Sequence, residues 1–332
     1  MKKILITGGA GFIGYHLAKH LLKTYKKCEI VLVDNLQRGL MDVDFKELLK
    51  NPEITFLNLD LTKSNSFKKI GDGYDHVYHL AAVNGTKYFY KMPHETSRIN
   101  LLSLIHTLEW FRSKNKEGKI CFPSSNEAYA GGLNAFNKLK IPTPENVPLV
   151  VEDPYNPRWS YAATKLMGEV LMIHYSSTYN LRGVIVRPHN FYGPRAGYDH
   201  VIPEFSMRIV NKIDPFPIFG ADDTRTFCHI KDAVRAMQMI MDSKKTNKLP
   251  IETFHIGDSE EISIQKLADK MFKISGWKPQ KIIVNKSPHG SVKRRLADTK
   301  KIKTMIKWIP KIKLDVGLKE TLDWYRKNPK KS

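Results

Sequence analysis

The sequence predicts an α/β protein with a doubly wound parallel sheet of the Rossmann type and a second, smaller α/β domain. Short apolar runs alternate with amphipathic segments over residues 1–188, and these runs are continuous, as is typical of strands buried on both faces. A glycine-rich turn follows the first run. The length of 332 residues suits two unequal domains better than one.

The predicted strands come in a regular series. They are KILIT (3–7), EIVLVD (29–34), ITFLNLDL (54–61), HVYHLAA (76–82), KICFPSS (119–125) and RGVIVRP (182–188). Between them, YHLAKHLLK and the segments around 98–113 and 160–179 repeat apolar residues at helical spacing. Alternation of this kind predicts parallel strands with helices on both faces of the sheet.

The domain boundary is predicted at Pro188, where the composition becomes richer in proline and glycine. Residues 1–187 form the first predicted domain and residues 188–332 the second, with 225–256 returning to the first. Further along, Ser263 directly precedes an apolar-periodic run and is therefore the predicted N-cap of a helix.

The net charge of +21, from 54 Lys and Arg against 33 Asp and Glu, attracts anions. A nucleic-acid-binding protein would concentrate this charge on one face. Here the lysines are scattered, as in KKIKTMIKWIPKIK (300–313), which favours a generally basic surface over a nucleic-acid partner. A basic surface still suits a small anionic substrate.

The cysteines and the apolar runs predict the compartment. Cys28, Cys121 and Cys228 are widely spaced, which argues against a disulfide framework or a zinc site and for a reducing environment. No stretch approaches the roughly 18 apolar residues of a membrane span. We therefore expect a cytoplasmic protein with no membrane partner and no bound metal.

The turn TGGAGFIG predicts a phosphate cradle, because Gly8, Gly11 and Gly14 lie between a strand and a helix whose free N–H groups would face a pyrophosphate. Asp34 follows about 20 residues later, at the end of the next strand. A carboxylate there accepts hydrogen bonds from ribose hydroxyls and repels a 2′-phosphate, which favours NAD over NADP. The alternative is a glycine-rich turn that binds nothing, with Asp34 as a strand-end cap.

Tyr161 and Lys165 are four residues apart in a helical stretch, so their side chains lie on one face. A phenol with a pKa near 10 is a poor base at neutral pH, but a neighbouring ammonium favours the phenolate. Tyr161 is thus a candidate base for a substrate hydroxyl whose carbon loses a hydride. The alternative is a tyrosine that packs beside a surface lysine.

Taken in order, TGGAGFIG, Asp34, the LDL containing Asp60, HLAA (79–82), the serine-containing strand end, YAATK and RPHNFYGP resemble the extended short-chain dehydrogenase/reductases that act on nucleotide sugars. The resemblance covers nearly the whole chain. It implies NAD as cofactor, a nucleotide sugar as substrate, and a homodimer built through the helices near 98–113 and 160–179. The implied reaction is oxidation of the sugar at C4 to a 4-keto intermediate, and 4-epimerisation is the first prediction.

The resemblance also implies the site residues. Ser125 and Tyr161 act on the sugar hydroxyl, and Lys165 contacts the nicotinamide ribose. The other implied cofactor contacts are Phe12, Ile13, Asn35, Asp60, Leu61, Leu80, Ala81 and Ala82. The implied substrate contacts are Asn190, His200, Val201, Arg225 and Arg295, of which Arg225 and Arg295 suit the diphosphate because guanidinium groups bind phosphate well. A surface role for Arg295 and for Arg294 beside it remains open.

The stretch FPSSNEAYAGG (122–132) contains the residues that are expected to determine which reaction follows oxidation at C4. Similar enzymes that act beyond C4 use a glutamate at the place of Glu127 as a general base at C5, so a 4,6-dehydratase, a UDP-glucuronate decarboxylase or a 3,5-epimerase remains an alternative. Glu127 could instead hold a loop amide. Asn126 replaces the aspartate of thymidine-linked dehydratases, which removes an acid for a leaving hydroxyl, and Ala130 replaces a glycine.

Two further alternatives stay open. His200 either exchanges protons at a carbon beside the 4-ketone or contacts a phosphate or sugar hydroxyl. From a different class, the chain could be a catalytically silent NAD-sensing or nucleic-acid-binding protein, although a silent protein need not keep Ser125, Tyr161 and Lys165.

Overall fold

The structure is a computed structural model that describes residues 1–136, 139–287 and 292–329, without the side chains of residues 86, 87 and 133–136. The strands are β1 Lys2–Thr7, β2 Cys28–Asp34, β3 Ile54–Asn58, β4 His76–His79, β5 Lys119–Pro123, β6 Arg182–Pro188, β7 Phe191–Tyr192, β8 Phe216–Phe219, β9 Thr224–Thr226, β10 Cys228–His229, β11 Glu252–Ile256, β12 Glu261–Ser263, β13 Ile282–Asn285 and β14 Arg294–Arg295. The helices are α1 Phe12–Thr24, α2 Val43–Leu48, α3 Thr86–Lys91, α4 Pro93–Lys114, α5 Glu127–Phe136, α6 Trp159–Tyr179, α7 Val201–Val210, α8 Ile230–Asp242, α9 Ile264–Ser275, α10 Lys300–Ile306 and α11 Leu314–Lys327. Short 3₁₀ turns lie at Ser64–Lys69 and Lys244–Thr246.

Seven strands form one sheet in the order β11-β6-β5-β4-β1-β2-β3, and every neighbouring pair is parallel. The predicted Rossmann-type α/β fold is confirmed. The strand order reverses between β1 and β4, and ligands of such sheets bind at the carboxyl ends of the strands beside this switch point. The glycine-rich turn after β1 and the Leu80 segment after β4 lie there.

Apolar packing covers both faces of the sheet. One buried cluster joins the sheet to α1 and α8 through Leu17, Leu21 and Met237, and the other joins it to α4 and α6 through Leu108 and Met172. A further cluster forms away from the sheet, between α7, β8, α9 and α11. This separate core supports the elements that lie over the carboxyl ends of the sheet strands.

Local contacts explain where elements begin and end. The predicted N-cap at Ser263 is confirmed, since its hydroxyl accepts from Lys266 N at 3.2 Å. The third, fourth and fifth strands end earlier than the apolar runs predicted. After β3, the Asp60 carboxylate accepts from Thr62 N at 2.9 Å and turns the chain away from the sheet. Within the described ranges, no helix has both the length and the apolar composition needed to cross a bilayer.

Candidate active site

The turn after β1 has the shape of a phosphate cradle. Gly8 has a φ of +68°, and a Cβ on it would lie 2.8 Å from the Leu80 carbonyl carbon. A Cβ on Gly14 would overlap the Gly8 carbonyl oxygen, so α1 can approach the turn only with glycine there. Gly11 is the N-cap of α1, and no side chain among the described residues caps this end. The first N–H groups of α1 are therefore available to an anion, which fits a dinucleotide pyrophosphate.

Asp34 ties the end of β2 to this cradle. One carboxylate oxygen accepts from Leu36 N at 2.8 Å and the other from Ala10 N at 3.1 Å. Burial raises the pKa of Asp34, and the two N–H donors offset part of that rise. Because a carboxylate oxygen can accept more than one hydrogen bond, Asp34 can still receive ribose hydroxyls.

A cavity of about 110 Å³ opens beside Asp34. Its lining contains the predicted cofactor contacts Asp34, Asn35, Asp60, Leu61, Leu80, Ala81 and Ala82. A second cavity of about 440 Å³ shares Gly8, Gly11, Leu80 and Ala82 with the first. The two cavities thus form one cleft along the carboxyl ends of the central strands, and the cradle fits NAD in shape and in donor groups.

The larger cavity collects most of the other predicted site residues. Its lining includes Phe12, Ile13, Ser125, Asn126, Glu127, Tyr161, Lys165, Asn190, His200, Val201 and Arg295. Arg225 is not in the lining. Its guanidinium donates to the carbonyls of Thr224 at 2.8 Å and Lys293 at 3.1 Å.

The helix α6 presents Tyr161 and Lys165 to the cavity from one face, and both are buried. Lys165 Nζ donates to the Pro123 carbonyl at 2.7 Å, which fixes the ammonium at the end of β5. It lies 5.6 Å from the centre of the Tyr161 ring. Burial lowers the pKa of Lys165 to about 8.

The pKa of Tyr161 differs from the expectation that the lysine would lower it. Burial raises the pKa, and the Glu127 charge raises it further. A hydrogen bond with Ser125 and the charge of Arg38 lower it only in part. The ring stacks on Phe89, with centroids 5.0 Å apart, which adds an apolar surround. The cause is desolvation, which opposes the phenolate more strongly than these neighbours favour it.

Glu127 is held by two arginines. Its Oε1 lies 2.5 Å from Arg295 Nη1 and its Oε2 lies 3.4 Å from Arg158 Nη2. Burial by itself raises the pKa of Glu127, but the positive charges of Arg295, Arg158 and Arg225 outweigh it and the net pKa is below the usual value. Glu127 is therefore an ionised partner of arginine at neutral pH.

Strand pairing explains the direction of the two consecutive arginines. Arg295 is aligned with Arg225 where β14 runs beside β9, so both lie on one face. Arg294 points the other way, where its guanidinium binds Glu261 at 2.7 Å near the surface. Burial and the charge of Arg295 lower the pKa of Arg225 to about 10.

Asn190 and His200 flank the cavity from the second part of the chain. Asn190 has a φ of +44°, and its side chain donates to the Thr226 carbonyl at 2.8 Å. His200 is the N-cap of α7. Burial and the nearby Arg38 lower the pKa of His200, so the imidazole is neutral at pH 7. A neutral imidazole offers a phosphate a hydrogen bond without a positive charge.

A buried network supports the end of β5 below the cavity. Ser124 Oγ donates to Glu169 at 2.5 Å, and Arg187 binds the same carboxylate with two contacts of 2.8 Å. Such a bidentate pair holds its groups in a fixed geometry. It thereby positions the backbone on which the neighbouring Ser125 stands.

Besides Arg38, which lines both cavities, sequence reasoning missed two arginines in the site. Arg158 lies one residue before α6 and could have been found from its place three residues before Tyr161. Arg195 follows the YGP motif and is buried; its Nε lies 2.7 Å from Asp42 and its Nη1 3.3 Å from the Gly11 carbonyl. Arg195 thus joins the segment after β7 to the cradle, a contact without a local sequence signal.

Comparisons with known proteins agree with this geometry. Residues 4–257 match the NAD dependent epimerase/dehydratase family. The chain is 32% identical to the UDP-N-acetyl-alpha-D-glucosaminuronate decarboxylase of Bacillus cytotoxicus, over 98% of each chain. It is 30% identical to a putative UDP-glucose 4-epimerase of Methanocaldococcus jannaschii, over 98% of this chain and 99% of the relative. The solved structure of UDP-glucuronic acid 4-epimerase from Bacillus cereus, in complex with UDP-glucuronic acid and NAD, is similar with a TM-score of 0.84 and 28% identity, over 98% of this chain and 99% of that one.

Proposed function

The chain belongs to the NAD dependent epimerase/dehydratase family, and on that premise we propose that it is a nucleotide-sugar 4-epimerase. The observation that supports this outcome is the ion pairing of Glu127 with Arg295 and Arg158. A carboxylate held in its ionised form, with a lowered pKa, is a weak base and cannot act as an acid. It therefore suits a reaction that is confined to C4.

The roles of the chain's residues follow from their positions. Bound in the cleft, NAD would supply the hydride acceptor for C4 and, in its reduced form, the hydride donor. Tyr161 is the base for the proton of the C4 hydroxyl once the positive nicotinamide of bound NAD offsets the desolvation that raises its pKa, and Ser125 beside it orients that hydroxyl. Lys165, fixed on the Pro123 carbonyl, holds a positive charge beside the tyrosine ring. The sugar must turn over between the two transfers so that the hydride returns to the opposite face.

Three buried donors around Glu127 support a sugar that carries a carboxylate. Arg158 Nε, Arg295 Nε and Asn126 Nδ2 have no hydrogen-bond partner among the described residues. Unpaired buried donors are costly, and a charged acceptor satisfies them best. We therefore propose a nucleotide-linked hexuronate as the substrate, with its C6 carboxylate among these donors.

Decarboxylation at the same site is the second candidate, because the same three donors support a substrate that carries the carboxylate to be lost. Oxidation of a hexuronate at C4 gives a β-keto acid. Its C5–carboxylate bond can then break, the electron pair passes to the C4 ketone as an enolate, carbon dioxide leaves, and C5 takes a proton. The relative from Bacillus cytotoxicus carries the name of such an activity.

Incubation with UDP-glucuronate and, separately, with UDP-glucose tests both proposals when the products are followed by mass spectrometry and NMR. The expected result is a product of unchanged mass with inverted C4, formed faster from the uronate. Loss of carbon dioxide would replace the 4-epimerase by the decarboxylase. Equal turnover of UDP-glucose would contradict the uronate as substrate.

We also assign the two ligands to the two predicted domains. NAD binds residues 1–187 together with 225–256, and residues 188–332 bind the nucleotide sugar. Exposed apolar side chains on α6, at Met167 and Val170, support a homodimer through this helix. Three free cysteines, all buried, are consistent with a reducing compartment such as the cytoplasm.

A further inference from the structure

Arg38 lies on the loop between β2 and α2 and lines both cavities of the cleft. The neighbouring Gly39 holds this loop against Asp34, since a Cβ on Gly39 would lie 2.8 Å from both carboxylate oxygens. The position of Arg38 is therefore set by the residue that marks the adenosine end of the cleft. Its side chain is exposed and extends over the cavities.

Across the cleft, Arg38 meets α3. The guanidinium carbon lies 4.8 Å from the centre of the Tyr88 ring, which is a cation–π contact. Gly85, the N-cap of α3, has a φ of +119°, which favours glycine, and it lies beside the guanidinium, since a Cβ there would be in ordinary contact with Arg38 Nη2 at 3.5 Å. The next residue, Phe89, stacks on Tyr161. The contact thus joins the loop after β2 to the helix that covers the catalytic tyrosine.

Arg38 differs from the other lysine and arginine side chains of the cleft. Arg195 is paired with Asp42 at 2.7 Å, Arg295 with Glu127 at 2.5 Å, and Lys165 donates to a carbonyl at 2.7 Å. In the parts of the chain that the structure describes, Arg38 forms no ion pair within 4 Å; its close partner is Tyr88, through the ring and a hydrogen bond, and the charge of Asp199 acts on it from farther away. Its charge is thus available to an anion in the cleft.

The anion that this position fits is the phosphate group of the cofactor. The uncapped N-terminus of α1 marks one side of the pyrophosphate site at Gly11, and the lining of both cavities includes Gly11 and Arg38. We propose that Arg38 and Tyr88 form a bridge over the bound dinucleotide, in which Arg38 pairs with the phosphates of NAD and must leave Tyr88 before NAD can dissociate. The inference rests on NAD as the cofactor and deepens the proposed function. An epimerase restores its NAD in every cycle and gains from retaining it.

The test is the rate at which NADH leaves the protein, measured by stopped flow as the loss of tryptophan-to-NADH energy transfer during a chase with excess NAD. We expect Arg38→Gln to release NADH about tenfold faster, since one charge-assisted hydrogen bond is lost. Tyr88→Leu should also release it faster because Arg38 loses its stacking partner. Arg326→Gln, at an exposed pair with Asp323, is the matched control and should release NADH at the wild-type rate.

A second measurement separates a phosphate contact from damage to the cradle. Adenosine has no phosphate, so its affinity, measured by calorimetry, should be the same in Arg38→Gln and wild type. Unchanged NADH release in Arg38→Gln, or an equal loss of adenosine and NADH affinity, would overturn the bridge. Weaker binding of UDP with normal NADH release would also overturn it, because Arg38 would then serve the substrate. A wild-type protein that binds no NADH would contradict the proposed function itself.

Discussion

The guanidinium of Arg295 lies 2.5 Å from the carboxylate of Glu127, although the two residues are 168 positions apart. The contact places the positive charge of Arg295 beside Glu127, the residue that the sequence suggested as a base for chemistry at C5. Arg158 adds a second charge at 3.4 Å. Glu127 is thereby an ionic anchor of the cavity, and the following expectations depend on that role.

Glu127→Gln and Tyr161→Phe should separate the two candidate reactions. The phenylalanine variant loses the base, and we expect kcat to fall by about 10²–10⁴-fold. The glutamine variant keeps an acceptor for Arg295, so turnover should stay within about tenfold of wild type. Initial rates of 4-epimerisation measure both. A loss of similar size in both variants would favour chemistry at C5.

Removing Arg295 should destabilise the fold through the charge that it leaves behind. In Arg295→Met, Glu127 keeps only the longer contact with Arg158, and we expect the free energy of unfolding to fall by about 1–3 kcal/mol. The double variant Glu127→Gln with Arg295→Met should recover part of this loss because the underpaired carboxylate is gone and Arg158 keeps an amide oxygen as its acceptor. Urea denaturation followed by circular dichroism measures the series. No recovery in the double variant would show that packing, not charge, explains the loss.

Activity should fall as the pH rises through about 8, where Lys165 loses its proton. Stability is expected to change with pH in the opposite direction to activity. The folded pKa of Lys165 is below its ordinary value of 10.5, so the unfolded chain binds more protons between these pH values and Lys165 adds stability as the pH rises. A fall in kcat without a fall in melting temperature is therefore expected. Parallel losses of both would attribute the alkaline limb to unfolding.

Gly14→Ala should abolish the cradle, because its Cβ would overlap the Gly8 carbonyl oxygen. We expect NADH affinity, measured by fluorescence titration, to fall at least about tenfold as α1 moves away from the turn. Gly132→Ala is a matched control, since its Cβ would meet Val150 at an ordinary 3.7 Å. Normal NADH affinity in Gly14→Ala would contradict the cradle.

Much of the site could be predicted because its signals are local. The glycine spacing, Asp34 after the second strand, and the four-residue step from Tyr161 to Lys165 each describe one strand end or one helix face. Residues with this spacing lie close together, however the rest of the chain folds. The parallel sheet also followed, because continuous apolar runs that alternate with helices predict one.

The pKa values and the role of Glu127 could not be predicted in this way. Burial of Tyr161 depends on Phe89 and on the walls of the cavity, so the rise of its pKa is a property of packing. Arg38 was missed because its stacking partner, Tyr88, lies beyond two further strands along the chain.

The sequence by itself determined the sheet, the phosphate cradle and the pair Tyr161 and Lys165, since neighbours along the chain set their geometry. Only the tertiary structure decided which charges surround Glu127 and which of two consecutive arginines faces the cavity. Arg295 turns inward and Arg294 outward because side chains alternate along β14. The register of β14 against β9 places the guanidinium of Arg295 beside the carboxylate of Glu127. Such long-range pairing exists only once the chain has folded.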